Sequence, residues 1–122
     1  MNEPVKELLA LGVVCTVLQL VDGLTTYVGV FKLGFEECIE GARQLMDAYG
    51  PLGIVICKII VILCVVSAIA IPVIVERYAK DNRLKAFAYH YFSGILIMAN
   101  VYYVYVVANN LYWITLWAMK VI

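Results

Sequence analysis

Three long apolar stretches make up most of the chain, and only a few polar positions interrupt them. The first covers about residues 8–31 and the second about 51–75. The third begins near residue 86 and stays apolar past Asn109 and Asn110 to the end. Each reaches the roughly 20 residues that a helix needs to cross a bilayer, so the pattern predicts three membrane-spanning helices. In the first span Gly12, Cys15, Gln19, Asp22, Thr26 and Gly29 recur at steps of three and four, which places them on one helix face. Leu11, Val14, Leu18 and Val21 fall on the other side. Small residues on a seam permit close helix approach, and polar ones bond across it. In the second span Cys57, Cys64 and Ala68 form a small-residue stripe beside a single charge, Lys58. Pro72 is predicted to bend its far end.

Between the first two spans, residues 35–49 alternate charge with apolar side chains. Glu36, Glu37, Glu40, Arg43 and Asp47 are interleaved with Phe35, Ile39, Ala42, Leu45, Met46 and Tyr49. The one-sided spacing predicts a short amphipathic helix lying at the interface, ended by Gly50 and followed by Pro51 as the start of the next helix. The third span is predicted over about residues 86–109. Residues 110–122 are either a projecting continuation of it or, if the helix breaks at Asn109-Asn110, an interfacial segment with Tyr112, Trp113 and Trp117 in the aromatic belt. The expected fold is therefore all-α: an integral membrane bundle of three transmembrane helices plus one interfacial helix, in a single domain over residues 1–122.

Composition supports this picture. The chain has 122 residues and is 65% hydrophobic, with a mean hydropathy of +0.93, against the 45–50% apolar content typical of soluble domains. Nine basic and nine acidic residues cancel, which leaves no basic surface for nucleic acid. Four cysteines without a C-x-x-C spacing signal neither a zinc site nor a disulfide framework. The first apolar run carries Asp22 and lacks a small-residue cleavage site, so it is expected to be a retained helix and not a signal peptide. Arg77, Lys80, Arg83 and Lys85 lie between spans two and three, and the positive-inside rule then predicts a cytoplasmic N-terminus and an outside C-terminus in the cell membrane.

Asp22 within a span needs an explanation, because an intramembrane carboxylate costs about 3 kcal/mol or more. Counting 1.5 Å per residue puts Asp22 about 15 Å below the outer end of span one, and Lys58 and Asn100 each about 10 Å below the outer surface. The expectation is an intramembrane polar cluster of Asp22, Thr25, Thr26, Lys58 and Asn100, with Lys58 pairing Asp22. Glu36, Glu37, Asn109 and Asn110 are expected near its outer mouth. Such a cluster either locks helix register or marks a ligand or ion pathway. No catalytic constellation is evident: His90 and Ser93 are neighbours on one helix, and Asp22 is predicted near the opposite leaflet. No metal site and no cofactor are predicted.

The order of these residues resembles a family of small membrane proteins, common in archaea, described only as a domain of unknown function. Its pattern is Asp-x-x-Thr-Thr in the first helix, then Gly, then Glu followed by Asn-Pro, then an early Lys in the next helix and Asn near the end of the last. Asp22, Thr25 and Thr26 match the first part, Gly34 with Glu36 or Glu37 the second, Lys58 the third, and Asn109 or Asn110 the fourth. The Asn-Pro is missing, since Cys38-Ile39-Glu40 stands where it would fall. The resemblance implies an architecture and a polar cluster, with no reaction attached. The expected role is a non-catalytic accessory or structural subunit of a larger membrane assembly, with the lipid bilayer and other membrane subunits, hetero- or homo-oligomeric, as partners. The alternative is a small oligomeric transporter or channel using the Asp22/Lys58/Asn100 cluster. An intramembrane enzyme is the least supported class, for want of a nucleophile–base pair.

Overall fold

The computed structural model describes residues 3–120, and all regular structure among them is helical. Helix α1 spans Glu3–Tyr27 and then widens into a π-helical turn over Val28–Lys32. After a loop come α2 (Glu40–Tyr49), α3 (Leu52–Tyr78) and α4 (Asn82–Ala118). Three helical stretches are long and apolar enough to cross a membrane: Glu3–Lys32, Leu52–Tyr78 and Asn82–Ala118, of 30, 27 and 37 residues. At 1.5 Å per residue they measure roughly 45, 40 and 55 Å, enough for a bilayer with its headgroup zones.

Helices α1, α3 and α4 all pack on one another, and α2 leans on the start of α3. The face of α1 turned inward carries Leu8, Gly12, Cys15, Gln19 and Asp22, at steps of four and three. The core joins Leu8 and Cys15 to Val65, Ala68 and Leu96. Gly12 admits the Ile69 side chain, whose terminal methyl would have to move aside for a Cβ there. On α3 the inward stripe runs through Val65, Ala68 and Pro72. Cys64 is exposed and Cys57 only half-buried, so of the expected Cys57/Cys64/Ala68 stripe only Ala68 lies on the inward face, with Val65 in place of Cys64. In a helix that is apolar on every side, residue size alone does not reveal which face meets the bundle. Pro72 is buried inside α3, which continues to Tyr78.

Two other expectations change. The amphipathic helix begins at Glu40 and not at residue 35, because Gly34 adopts φ +79° and Ile39 is extended. A Glu37 carboxylate oxygen accepts the Ile39 N–H at 3.2 Å and holds the chain in that non-helical entry. At the other end of the fold, α4 runs unbroken through Asn109 and Asn110 to Ala118. Asparagine weakens helices by bonding its own backbone, whereas the Asn110 amide donates to side chains of α1 instead. Its start is conventional, with the Asp81 carboxylate accepting the Arg83 N–H at 2.8 Å as an N-cap.

The α2–α3 corner depends on Gly50, at φ +63°, and on Gly53. A Cβ on Gly53 would lie 2.5 Å from the Leu45 carbonyl oxygen, a backbone atom without room to move aside. Gly53→Ala is expected to destabilise the fold by about 1–3 kcal/mol. Gly41→Ala, on the open side of α2 with nothing within 4 Å, is expected to be neutral or to stabilise by up to about 1 kcal/mol. Thermal unfolding of the two variants in detergent checks the contrast.

Candidate functional site: a polar lock between three helices

Asp22 is the centre of the site. It is one of the few buried polar side chains among the described residues, 5% exposed, with Gln19 at 0% on the preceding turn. Both lie on the α1 face that points between α3 and α4. From α3, the Lys58 ammonium is ion-paired with Asp22 Oδ2 and also donates to Gln19 Oε1 at 3.1 Å. From within α1, the Thr26 hydroxyl donates to Asp22 Oδ1 at 3.2 Å. From α4, the Asn110 amide donates to the same oxygen at 3.1 Å and to the Thr25 hydroxyl oxygen at 2.9 Å. Thr25 in turn donates to the Asp22 carbonyl at 3.1 Å. The Tyr103 ring of α4 faces the Lys58 ammonium at 5.2 Å, within cation–π range.

The spacing explains why these residues meet. Gln19, Asp22 and Thr26 fall on one strip of α1 because three- and four-residue steps return to the same side of a helix. The Lys58 stem packs beside Gly23 on that strip, and a Cβ placed there would meet its Cγ at 3.7 Å, an ordinary van der Waals contact. The long lysine stem crosses apolar surface while its charged end reaches the carboxylate. Both Asp22 oxygens are satisfied, one by an ammonium and the other by a hydroxyl and an amide. That arrangement is what makes a paired charge tolerable in low dielectric.

The expected cluster is thus assembled around Asp22, Thr25, Thr26 and Lys58, with one correction. Asn100 is not part of it: its amide donates to the Leu11 carbonyl at 3.2 Å, well toward the opposite end of α1. Asn110 takes the place assigned to Asn100. The depth count placed the membrane boundary at the start of α4, but α4 begins below the described end of α1, with Tyr89 bonded to Glu7. Every residue of α4 therefore sits lower against α1 than the count assumed. Gln19 and Tyr103 were not assigned to the site. Gln19 is legible as a seam residue one turn before Asp22, whereas nothing in the spacing singles out Tyr103 among the neighbouring tyrosines.

Two connected cavities open beside the lock. The smaller, about 270 Å³, is floored by Asp22, Lys58 and Asn110 and walled by Met46, Ile54 and Tyr103. The larger, about 510 Å³, is lined by Thr25, Thr26, Glu36, Glu37, Asn109 and Asn110, with Tyr102, Tyr105 and Trp113 as aromatic walls. The four residues expected at the mouth all line this second space. Glu37, Thr26 and Asn110 border both cavities. Among the described residues no cluster of three or more His, Cys, Asp or Glu side chains is placed to hold a metal ion.

Removing one member of the ion pair leaves a buried charge unpaired. Asp22→Asn and Lys58→Met are each expected to destabilise the fold by about 3–5 kcal/mol, and Asp22→Leu combined with Lys58→Met to recover most of that loss. Asn110→Leu is expected to cost about 1–2 kcal/mol and to be coupled to Asp22→Asn. Asn100→Leu is expected to add to Asp22→Asn within about 0.5 kcal/mol, because the two share no partner. Double-mutant cycles on unfolding in detergent measure both couplings.

No curated protein and no solved structure matches this sequence. One family model does, over residues 13–116, a stretch that takes in the α1 seam, Lys58, both cavities and Asn110. The chain belongs to that family, which is described as a domain of unknown function (DUF5658).

Proposed function

We propose that this protein is a non-catalytic subunit of a larger membrane assembly, a three-helix unit whose polar seam fixes its own shape for lateral packing. The observation that carries the reading is the closure of the Asp22 network. Its carboxylate is held by groups of the same chain on α1, α3 and α4, so the charge serves to set three helices in one register. A thin bundle of this kind leaves long helix faces for neighbours, among them Ile59, Leu63 and Val66 on α3 and Ile95, Met98, Val101 and Tyr105 on α4. Side chains on such faces can interlock with a neighbouring helix through van der Waals packing, which drives association where the hydrophobic effect does not act.

The proposal extends to topology and family pattern. Arg77, Lys80, Arg83 and Lys85 favour a cytoplasmic α3–α4 loop in the cell membrane, with the N-terminus inside and the cavities opening outward. The ordered set Asp22, Thr25, Thr26, Lys58 and Asn110 is proposed as the signature of the family, and an archaeal-type source fits the resemblance. A second reading, transport by several copies, is favoured by one observation: a cavity reaches the Asp22/Lys58 pair. Three helices cannot enclose a pore and still face lipid on their outer sides, so that reading also requires assembly.

Native mass spectrometry from mild detergent or native nanodiscs tests the proposal. The expected result is a particle heavier than the 13.7 kDa chain, either a defined multiple of it or a defined complex with other subunits. A lone monomer overturns the subunit reading. Proteoliposomes separate the two assemblies: a structural subunit gives no flux of protons, alkali cations or small anions, whereas saturable flux favours transport.

A further inference from the structure

The lock accounts for Asp22 and Lys58 but not for the larger cavity beside them. That space, about 510 Å³, lies where the end of α1, the loop before α2 and the last turns of α4 converge. Its volume falls in the range of small-ligand sites. Its chemistry is asymmetric. Glu36 and Glu37 bring two carboxylates to it, and neither is ion-paired among the described residues. No lysine or arginine lines it among the described residues. Lys32, close in sequence, lies over the Tyr27 ring at 5.6 Å instead. Lys58 belongs to the adjoining cavity, where Asp22 and Gln19 occupy its ammonium. The walls are Tyr102, Tyr105 and Trp113, and the floor is Asn110.

We propose that this cavity binds an organic ammonium group, carried by a free amine or by a lipid headgroup. Carboxylates at the rim supply the charge, and aromatic rings supply faces that attract a cation through their quadrupoles. Anions are disfavoured by two carboxylates without a cationic neighbour in the lining. Calcium or magnesium needs about six or more closely spaced oxygens and zinc a close set of Cys, His, Asp or Glu ligands, whereas no cluster of three or more His, Cys, Asp or Glu side chains is placed for a metal among the described residues. An apolar ligand would place the Glu36 and Glu37 carboxylates against a surface that cannot pair with their charge. The inference stands whether or not the chain assembles with others.

The test uses the full chain in maltoside micelles, with Trp117→Phe so that Trp113 is the only fluorescent tryptophan. Choline, ethanolamine and the neutral carbon isostere of choline, dimethylbutanol, are titrated against Trp113 emission. A second arm uses phosphatidylglycerol nanodiscs with and without added phosphatidylethanolamine or phosphatidylcholine. A saturable response to choline or ethanolamine assigns the site to free amines. A response confined to the ammonium lipids assigns it to headgroups. In either case Glu36→Gln with Glu37→Gln is expected to weaken the response by about tenfold or more. The glutamine at residue 37 keeps an acceptor for the Ile39 N–H, and an unchanged melting curve confirms that the fold survives. An equal response to dimethylbutanol, no loss in the double-glutamine variant, or no response in either arm from folded protein overturns the proposal.

Discussion

A single carboxylate in a place hostile to charge governs this fold. Asp22 is buried on α1, which packs against both other long helices. Left alone, it would oppose insertion and packing alike. Paired with Lys58, and with its other oxygen bonded to Thr26 and Asn110, it becomes a point where α1, α3 and α4 must agree in depth and rotation. Apolar contacts in lipid discriminate weakly between registers, since lipid tails are as apolar as leucine. A charged pair discriminates strongly, because a slip by one turn leaves both charges unpaired. The stability of such a pair relative to an apolar replacement is small, and its value lies in the uniqueness of the arrangement.

The remaining features follow from that constraint. Gly12 lets the Ile69 side chain of α3 come close to α1, and the Lys58 stem packs beside Gly23 on the same helix. Asn100, bonded to the Leu11 carbonyl, and Tyr89, bonded to Glu7, add further polar ties between α1 and α4 nearer the other end of the bundle. Polar ties at three depths oppose sliding or turning of α4 against α1. The loop before α2 folds over the Asp22 end, where Glu37 both shapes the entry to α2 and borders the two cavities.

Much of this was legible because membranes make polar residues conspicuous. The α1 seam is readable from Gly12, Cys15, Gln19 and Asp22, whose spacing coincides with a change from apolar to small or polar side chains. The partnership of Asp22 with Lys58 is readable from scarcity, since the spans contain few charges. What stayed hidden depends on register or on uniform apolarity. Asn100 and Asn110 lie ten residues apart on a helix longer than a bilayer, and only the offset of α4 against α1, seen at Glu7–Tyr89 and Leu11–Asn100, decides between them. The inward stripe of α3 passes through Val65 and not Cys64 because the helix is apolar on all sides, so no periodicity marks its face. The continuity of α4 through Asn109 and Asn110 rests on a tertiary bond to α1, which local helix propensity does not encode.

The register of the three helices rests on direct contact between Asp22 and Lys58. Dipolar-recoupling solid-state NMR in lipid bilayers measures it, with the Lys58 side-chain nitrogen and the Asp22 carboxyl carbon isotopically labelled. A directly bonded pair predicts a nitrogen–carbon distance of about 3.5 Å and strong dephasing of the lysine signal. Absence of dephasing, in a sample whose helices are otherwise intact, would contradict the account.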